Sequence, residues 1–327
     1  LLKFKKEFNY LNVINKTSVN IMIENKDFDT VDELMDFISP WGESPNLDGY
    51  VFRGHSQESF KLIPSALRPE SVDRFWELTS YGRPIGHQHE LDFFQIRAEY
   101  SLIRDFYRLA DRQGLEVPVS LKMRENLAQD FDTIALFNLS DGGKWIPDDL
   151  LEAVALAQHY GIPTRLLDWT YDINVALYFA FNGAIDMEGR LVIWAINKEH
   201  LCFLKPTTSR INVDFITPHY AGNPNLCAQK GLFTHWQIDQ ISMREQIEIN
   251  MQGGNMPLVN RKSLDELIEN NLSGDDQQNI FKKFTLPCSE AKKGCQLLIK
   301  MGYGPARLFP GYQGVADQVL NNHRLHG

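Results

Sequence analysis

Apolar residues recur at helical spacing over residues 90–114, where Phe93, Ile96, Tyr100, Ile103, Phe106, Tyr107 and Ala110 predict one long amphipathic helix. Two other stretches read as β-structure. Tyr50–His55 is β-rich and turns abruptly polar, and Arg190–Asn197 is a continuous apolar run that suits a central strand covered on both faces. Between them, the apolar run 150–157 predicts a helix, with Asp149 and Glu152 spaced as a capping box and Gly161 placed to end it in the left-handed conformation. Pro163 keeps its predecessor extended, so residues 165–169 read as a short buried strand. Thr170 or Asp172 can then cap a second helix, apolar on most of its surface, that ends near Gly183.

The flanks are less regular. Thr30 and Glu33 make a second capping box for a helix over Val31–Ile38, preceded by a strand near residues 19–23. Residues 62–69 read as an extended, proline-marked segment, residues 114–148 as a polar connection with one helical piece at 127–137, and residues 198–222 as irregular. Two short strand pieces are expected over 226–234, broken at Lys230-Gly231. Residues 236–280 are polar and loop-rich, residues 291–301 predict a helix ending at Gly302, and a final helix is expected at about 315–320. The pattern is that of an α+β protein with a central mixed β-sheet core flanked by helices. It divides into an N-terminal extension at 1–44, a main domain at 45–320 with a helical insertion at about 86–148 and a loop-rich insertion at about 236–280, and a tail at 321–327.

Composition narrows the function. A net charge of −9 argues against a chain whose main task is to neutralise nucleic-acid phosphates or an anionic membrane, and no apolar run reaches the length of a membrane span. The four cysteines form no CxxC pair and no cluster with histidine at zinc spacing, so no metal is expected, and a reduced, cytoplasmic protein is. Candidate chemistry concentrates in residues 158–170, which place His159, Tyr160, Arg165, Asp168, Trp169 and Thr170 between strongly apolar flanks. Asp168 is the sharpest of these, because a carboxylate after two leucines at a strand end is costly without a partner. Arg53, beside Gly54, sits where a ligand or another backbone can approach the guanidinium closely, and Arg68 is a second possible anion binder. Glu99 lies on the apolar stripe of the long helix and needs a cation, which makes a buried ion pair its expected role. One reading joins Arg53, Glu99, Arg165 and Asp168 into a single structural charge network; the other brings Arg53, His159, Asp168 and Gln229 to an open cleft.

With Phe52-Arg53-Gly54, the 158–170 stretch, the 174–180 helix, the 229–234 segment and Leu308-Phe309-Pro310-Gly311 in that order, residues 45–320 resemble the FRG-domain family. The chain is also similar, more distantly, to ADP-ribosyltransferases, in which an Arg on the first core strand holds the nucleotide, a later strand-end motif orients the nicotinamide ribose, and a Glu on a further strand polarises a ribose hydroxyl. That resemblance implies a split ADP-ribosyltransferase-like core and NAD as substrate. Arg53, Gly54, Tyr160, Trp169 and Thr170 would then bind the nucleotide, with Trp169 or Tyr160 stacking on a ring. Asp168, His159 and Gln229 would line the reacting centre, with a protein acceptor or partner possible. The position expected to carry the Glu is Gln229, which cannot act as a charged base, so Glu245 and Glu248 are carboxylate alternatives on a possible strand. The rival function is a non-catalytic domain that binds a nucleotide, another anionic small molecule or a partner on the same architecture.

Overall fold

The computed structural model describes residues 22–39, 47–79, 82–127, 143–206, 211–272 and 278–326. Its centre is a seven-stranded mixed sheet. The strands are β1 (Ile23–Asp27), β2 (Tyr50–His55), β4 (Leu167–Thr170), β5 (Arg190–Asn197), β6 (Val213–Ile216), β7 (Gly231–Trp236) and β9 (Phe281–Pro287), in the spatial order β1-β9-β5-β2-β4-β7-β6. Only the edge pair β1 and β9 is parallel; every other neighbour is antiparallel. A separate two-stranded ribbon joins β3 (Lys144–Trp145) to β8 (Ile238–Asp239).

Alternation along β5 explains its unbroken hydrophobicity. Leu191, Ile193 and Ala195 enter one core with Phe52, Phe284 and the helix Ile173–Ala184, while Val192, Trp194 and Ile196 enter the core on the opposite face with Leu167, Trp169 and Leu232. Both faces are covered, so neither register position can be polar. A third core lies where helix α3 (Asp92–Arg112) crosses α5 (Leu151–His159), and it takes Trp145, Leu166 and Phe233. The N-terminal strand β1 thus completes the main sheet, and α3 supplies much of one core. No helix among the described residues is long and apolar enough to cross a membrane.

Several local expectations are corrected. Helix α5 carries no side-chain cap: Asp149 accepts from the Ser120 hydroxyl at 2.6 Å and Glu152 from the His219 N–H at 3.3 Å. The strand expected at 165–169 starts two residues later, because the Leu166 N–H donates to Thr164 Oγ1 at 3.0 Å and the ladder with β7 begins at Leu167. Segment 198–222 is not irregular; it holds a helix at Lys198–Leu204 and strand β6. The first of the two strand pieces at 226–234 is instead a short helix, α8 (Pro224–Ala228), capped by Asn223, and Lys230 makes the break at φ +47° before β7 begins. Glu245 and Glu248 lie on the helix Met243–Met251, where Glu245 closes a capping box with Ser242, so the strand proposed for them is absent. The final helix is longer than expected, at Tyr312–His326. The helical piece at 127–137 falls outside the described residues after Leu127.

Candidate functional site

Strands β2 and β4 are neighbours joined at one position only, Phe52 opposite Thr170. Beyond it they part, although β2 stays paired with β5 along its length and β4 with β7. The guanidinium of Arg53 spans the gap and donates from Nη1 to the backbone carbonyl of Asp168 at 2.7 Å and to its Oδ2 at 3.3 Å. Above the opening lies helix α6 (Ile173–Ala184), started by Asp172, whose carboxylate caps Asn174 N–H. It crosses β2 so closely that a Cβ on Gly54 would stand 1.9 Å from the Ala176 carbonyl oxygen. The glycine beside Arg53 is therefore required by helix packing: the backbone that approaches is the protein's own.

The parted strands, α6 and β7 enclose an open cleft of about 260 Å³ lined by Arg53, Gly54, His159, Asp168, Trp169, Thr170 and Gln229 together with Phe179 and Phe233. Seven of the eight expected site residues meet there; Tyr160 does not line it. Tyr160 instead follows α5 at its C-cap, with its exposed ring stacked on Phe106 at 6.3 Å between centroids. Trp169 forms part of the wall but offers no ring face, since it is buried and its indole N–H donates to Thr234 Oγ1 at 2.9 Å. The aromatic surface the cleft does present is Phe179, 40% exposed and packed edge-on against Phe309. It sits in the apolar helix pattern, where nothing in the sequence separates one outward ring from its buried neighbours.

Arg53 is held on two sides. Its Nε donates to His55 Nε2 at 2.8 Å, which fixes the His55 proton on Nδ1, where it faces the Phe60 carbonyl at 3.1 Å. Burial, then the charge of Arg53, pushes the His55 pKa down to about 3, so the ring stays a neutral acceptor. Sequence reasoning missed His55, although its i+2 position on β2 puts it on the same side as Arg53. Burial also lowers the Arg53 pKa, opposed by Asp168, and the charge of Arg68 acts in the same direction as burial. With Nε and Nη1 engaged, the two N–H bonds of Nη2 have no partner among the described residues.

Asp168 accepts from Gln158 Nε2 at 2.6 Å as well as from Arg53, and its side chain remains 59% exposed. The His159 ring makes no hydrogen bond among the described residues; burial lowers its pKa and the Asp168 carboxylate partly restores it. Thr170 is a joint: its hydroxyl donates to the Gln229 carbonyl at 2.7 Å and accepts from Asp172 N–H at 3.0 Å. Gln229 donates through Nε2 to the Leu308 carbonyl at 3.1 Å, which ties the 308–311 segment to the cleft. Neither Glu245 nor Glu248 lines it, and Asp168 is the one carboxylate in its described lining.

The single charge network joining Arg53, Asp168, Arg165 and Glu99 does not form; there are two. Arg165 points the other way and donates from Nε to both carboxylate oxygens of Glu99 at 2.8 Å and from Nη2 to Asp92 at 2.7 Å. Glu99 also accepts from Trp145 Nε1 at 2.7 Å and Gln95 Nε2 at 3.0 Å. Burial works against both charges; it pushes the Glu99 carboxyl up, while on Arg165 the pull of Glu99 and Asp92 outweighs it.

Residues 48–188 match the family model of the FRG domain, a span that includes Arg53, the 158–170 stretch and α6 but stops before Gln229. No curated protein and no solved structure matches the chain.

Proposed function

We propose, for a chain that carries an FRG domain, that the cleft between β2 and β4 binds the anionic part of a nucleotide, with NAD as the candidate ligand and Asp168 as the group for chemistry on it. One observation carries this reading: a guanidinium fixed on two sides, with Nη2 left without a partner among the described residues, lines an open concavity. A rigid donor pair of this kind suits phosphate oxygens. At about 260 Å³ the cleft is near the small end of ligand sites, typically ~300–1,000 Å³, so it takes one end of a dinucleotide and leaves the other over its mouth. Phe179 gives that end an apolar ring to pack on.

In the catalytic form of the proposal, water attacks the ribose carbon bonded to nicotinamide. The carbon–nitrogen bond breaks, nicotinamide leaves with the bonding electrons, and the proton of the attacking water passes to Asp168 or His159. Asp168 would stabilise the positive charge that develops on the ribose. A second reading, binding without turnover, draws on the pairing of Asp168 with Arg53 and on Gln229 standing where the resemblance expects a Glu.

Incubation with labelled NAD, reading nicotinamide release, and calorimetry with NAD and ADP-ribose test both. Arg53→Gln is expected to lose binding with its melting temperature kept, whereas Asp168→Asn is expected to bind and not turn over. Failure of the parent chain to bind either compound at millimolar concentration overturns the proposal, and binding without nicotinamide release selects the second reading.

A further inference from the structure

A second concavity of about 250 Å³ lies away from the cleft, between the start of α3, the end of β8 and the helix α9 (Met243–Met251). Its lining includes Asp92, Phe93, Asp239, Gln240, Gln246 and Asn250, and no Lys, Arg or His.

The two glutamines decide what it can take. Both are more than nine-tenths buried, at 7% exposure each. Gln246 Nε2 donates to the Ile241 carbonyl at 3.0 Å and Gln240 Nε2 to the Lys144 carbonyl at 3.4 Å. Because a carbonyl can only accept, each amide must turn its NH2 to the backbone, which leaves each Oε1 as an acceptor. Neither Oε1 has a partner among the described residues, and both side chains line the hollow. Asp92 is spoken for at Oδ1 by Arg165, which leaves Oδ2. Asp239 is exposed and makes no ion pair among the described residues, although Lys144 stands opposite it on the ladder.

We propose that this concavity is a second binding site, for a small organic cation that carries an ammonium or guanidinium group on an apolar stem. Such a group has donors only and matches carboxylate and amide oxygens that no group among the described residues fills. Phe93 adds an aromatic ring for the stem or the charge. The net charge of −9 favours the approach of a cation from solution.

The test is calorimetry on the full chain with agmatine and cadaverine, and with 1-pentanol as the uncharged control. Saturable binding of either cation and none of the alcohol is expected. Asp239→Asn is expected to weaken it about fivefold, the effect of one partly screened charge contact, and Asp239→Lys to abolish it, both with an unchanged melting temperature. Absence of binding at millimolar concentration, equal binding of the alcohol, or cation affinity unaltered in Asp239→Lys overturns the proposal. None of these outcomes depends on whether the cleft at Arg53 binds a nucleotide.

Discussion

Replacing Glu99 by Leu tests whether the Arg165 network is structural. The two side chains are 4% and 2% exposed, so removal of the carboxylate leaves a guanidinium in the core with Asp92 as its remaining partner. It also strands the Trp145 indole N–H, which donates to Glu99 alone. Breaking a buried pair on one side costs roughly 3–5 kcal/mol, a large share of the ~5–15 kcal/mol that holds a folded protein together. The double variant Glu99→Leu with Arg165→Met removes both charges. Asp92, already open to the second concavity, can then hydrate, and the main residual cost is the stranded indole, about 1–3 kcal/mol. Equilibrium urea unfolding should therefore show the double variant more stable than the Glu99→Leu variant by about 2 kcal/mol. Two results refute the reasoning: a loss below about 1 kcal/mol in the Glu99→Leu variant, or a double variant whose loss equals the sum of the two single ones.

Three further outcomes follow from the same geometry. Gly54→Ala drives a methyl against the Ala176 carbonyl and should cost about 3 kcal/mol, at the upper end for overpacking; an unchanged melting temperature would remove the packing role assigned to Gly54. His55 and His235 both have pKa values pushed down to about 3, chiefly by burial. An unfolded histidine takes up a proton near pH 6.5 and these do not, so stability should fall as pH drops from about 6.5 toward about 3, by up to roughly 3 kcal/mol per ring at pH 4. Unfolding midpoints that stay flat from pH 7 to pH 4 would contradict this. In His55→Ala the Arg53 guanidinium loses its second anchor, and the nucleotide affinity proposed for the cleft should drop about tenfold with the charge still present; affinity equal to the parent would show that Asp168 alone positions it.

Much of the fold can be read from periodicity because both sheet faces and the long helix follow simple repeats. β2, β5 and the α1 helix at Val31–Ile38 begin and end where the pattern puts them. The misses share a cause. Segments 198–222 and 236–280 hold short helices whose buried positions, such as Leu201, Leu204, Leu264 and Ile268, are too few to impose a visible period amid polar residues. Among candidate site residues, Asp168 stands out in the sequence as a carboxylate in an apolar strand, yet its side chain is 59% exposed, so it meets Arg53 because β2 and β4 part beside Phe52 and not because a buried charge demands a partner. The Glu99 and Arg165 pair was foreseeable from Glu99's place on an apolar stripe. The roles of His55 and Phe179 depend on which way one ring turns, and that is decided by neighbours far away in the chain.

The FRG match ends at residue 188, yet β2 lies between β4 and β5, and β4 leans on β7. Expressed by itself, that span would present raw hydrogen-bonding edges on β2 and β4, and the cleft would be missing the wall supplied by Leu226, Gln229 and residues 231–233. Such a fragment is a recipe for aggregation, and a chimera that swaps only the matched span would inherit half of the cleft.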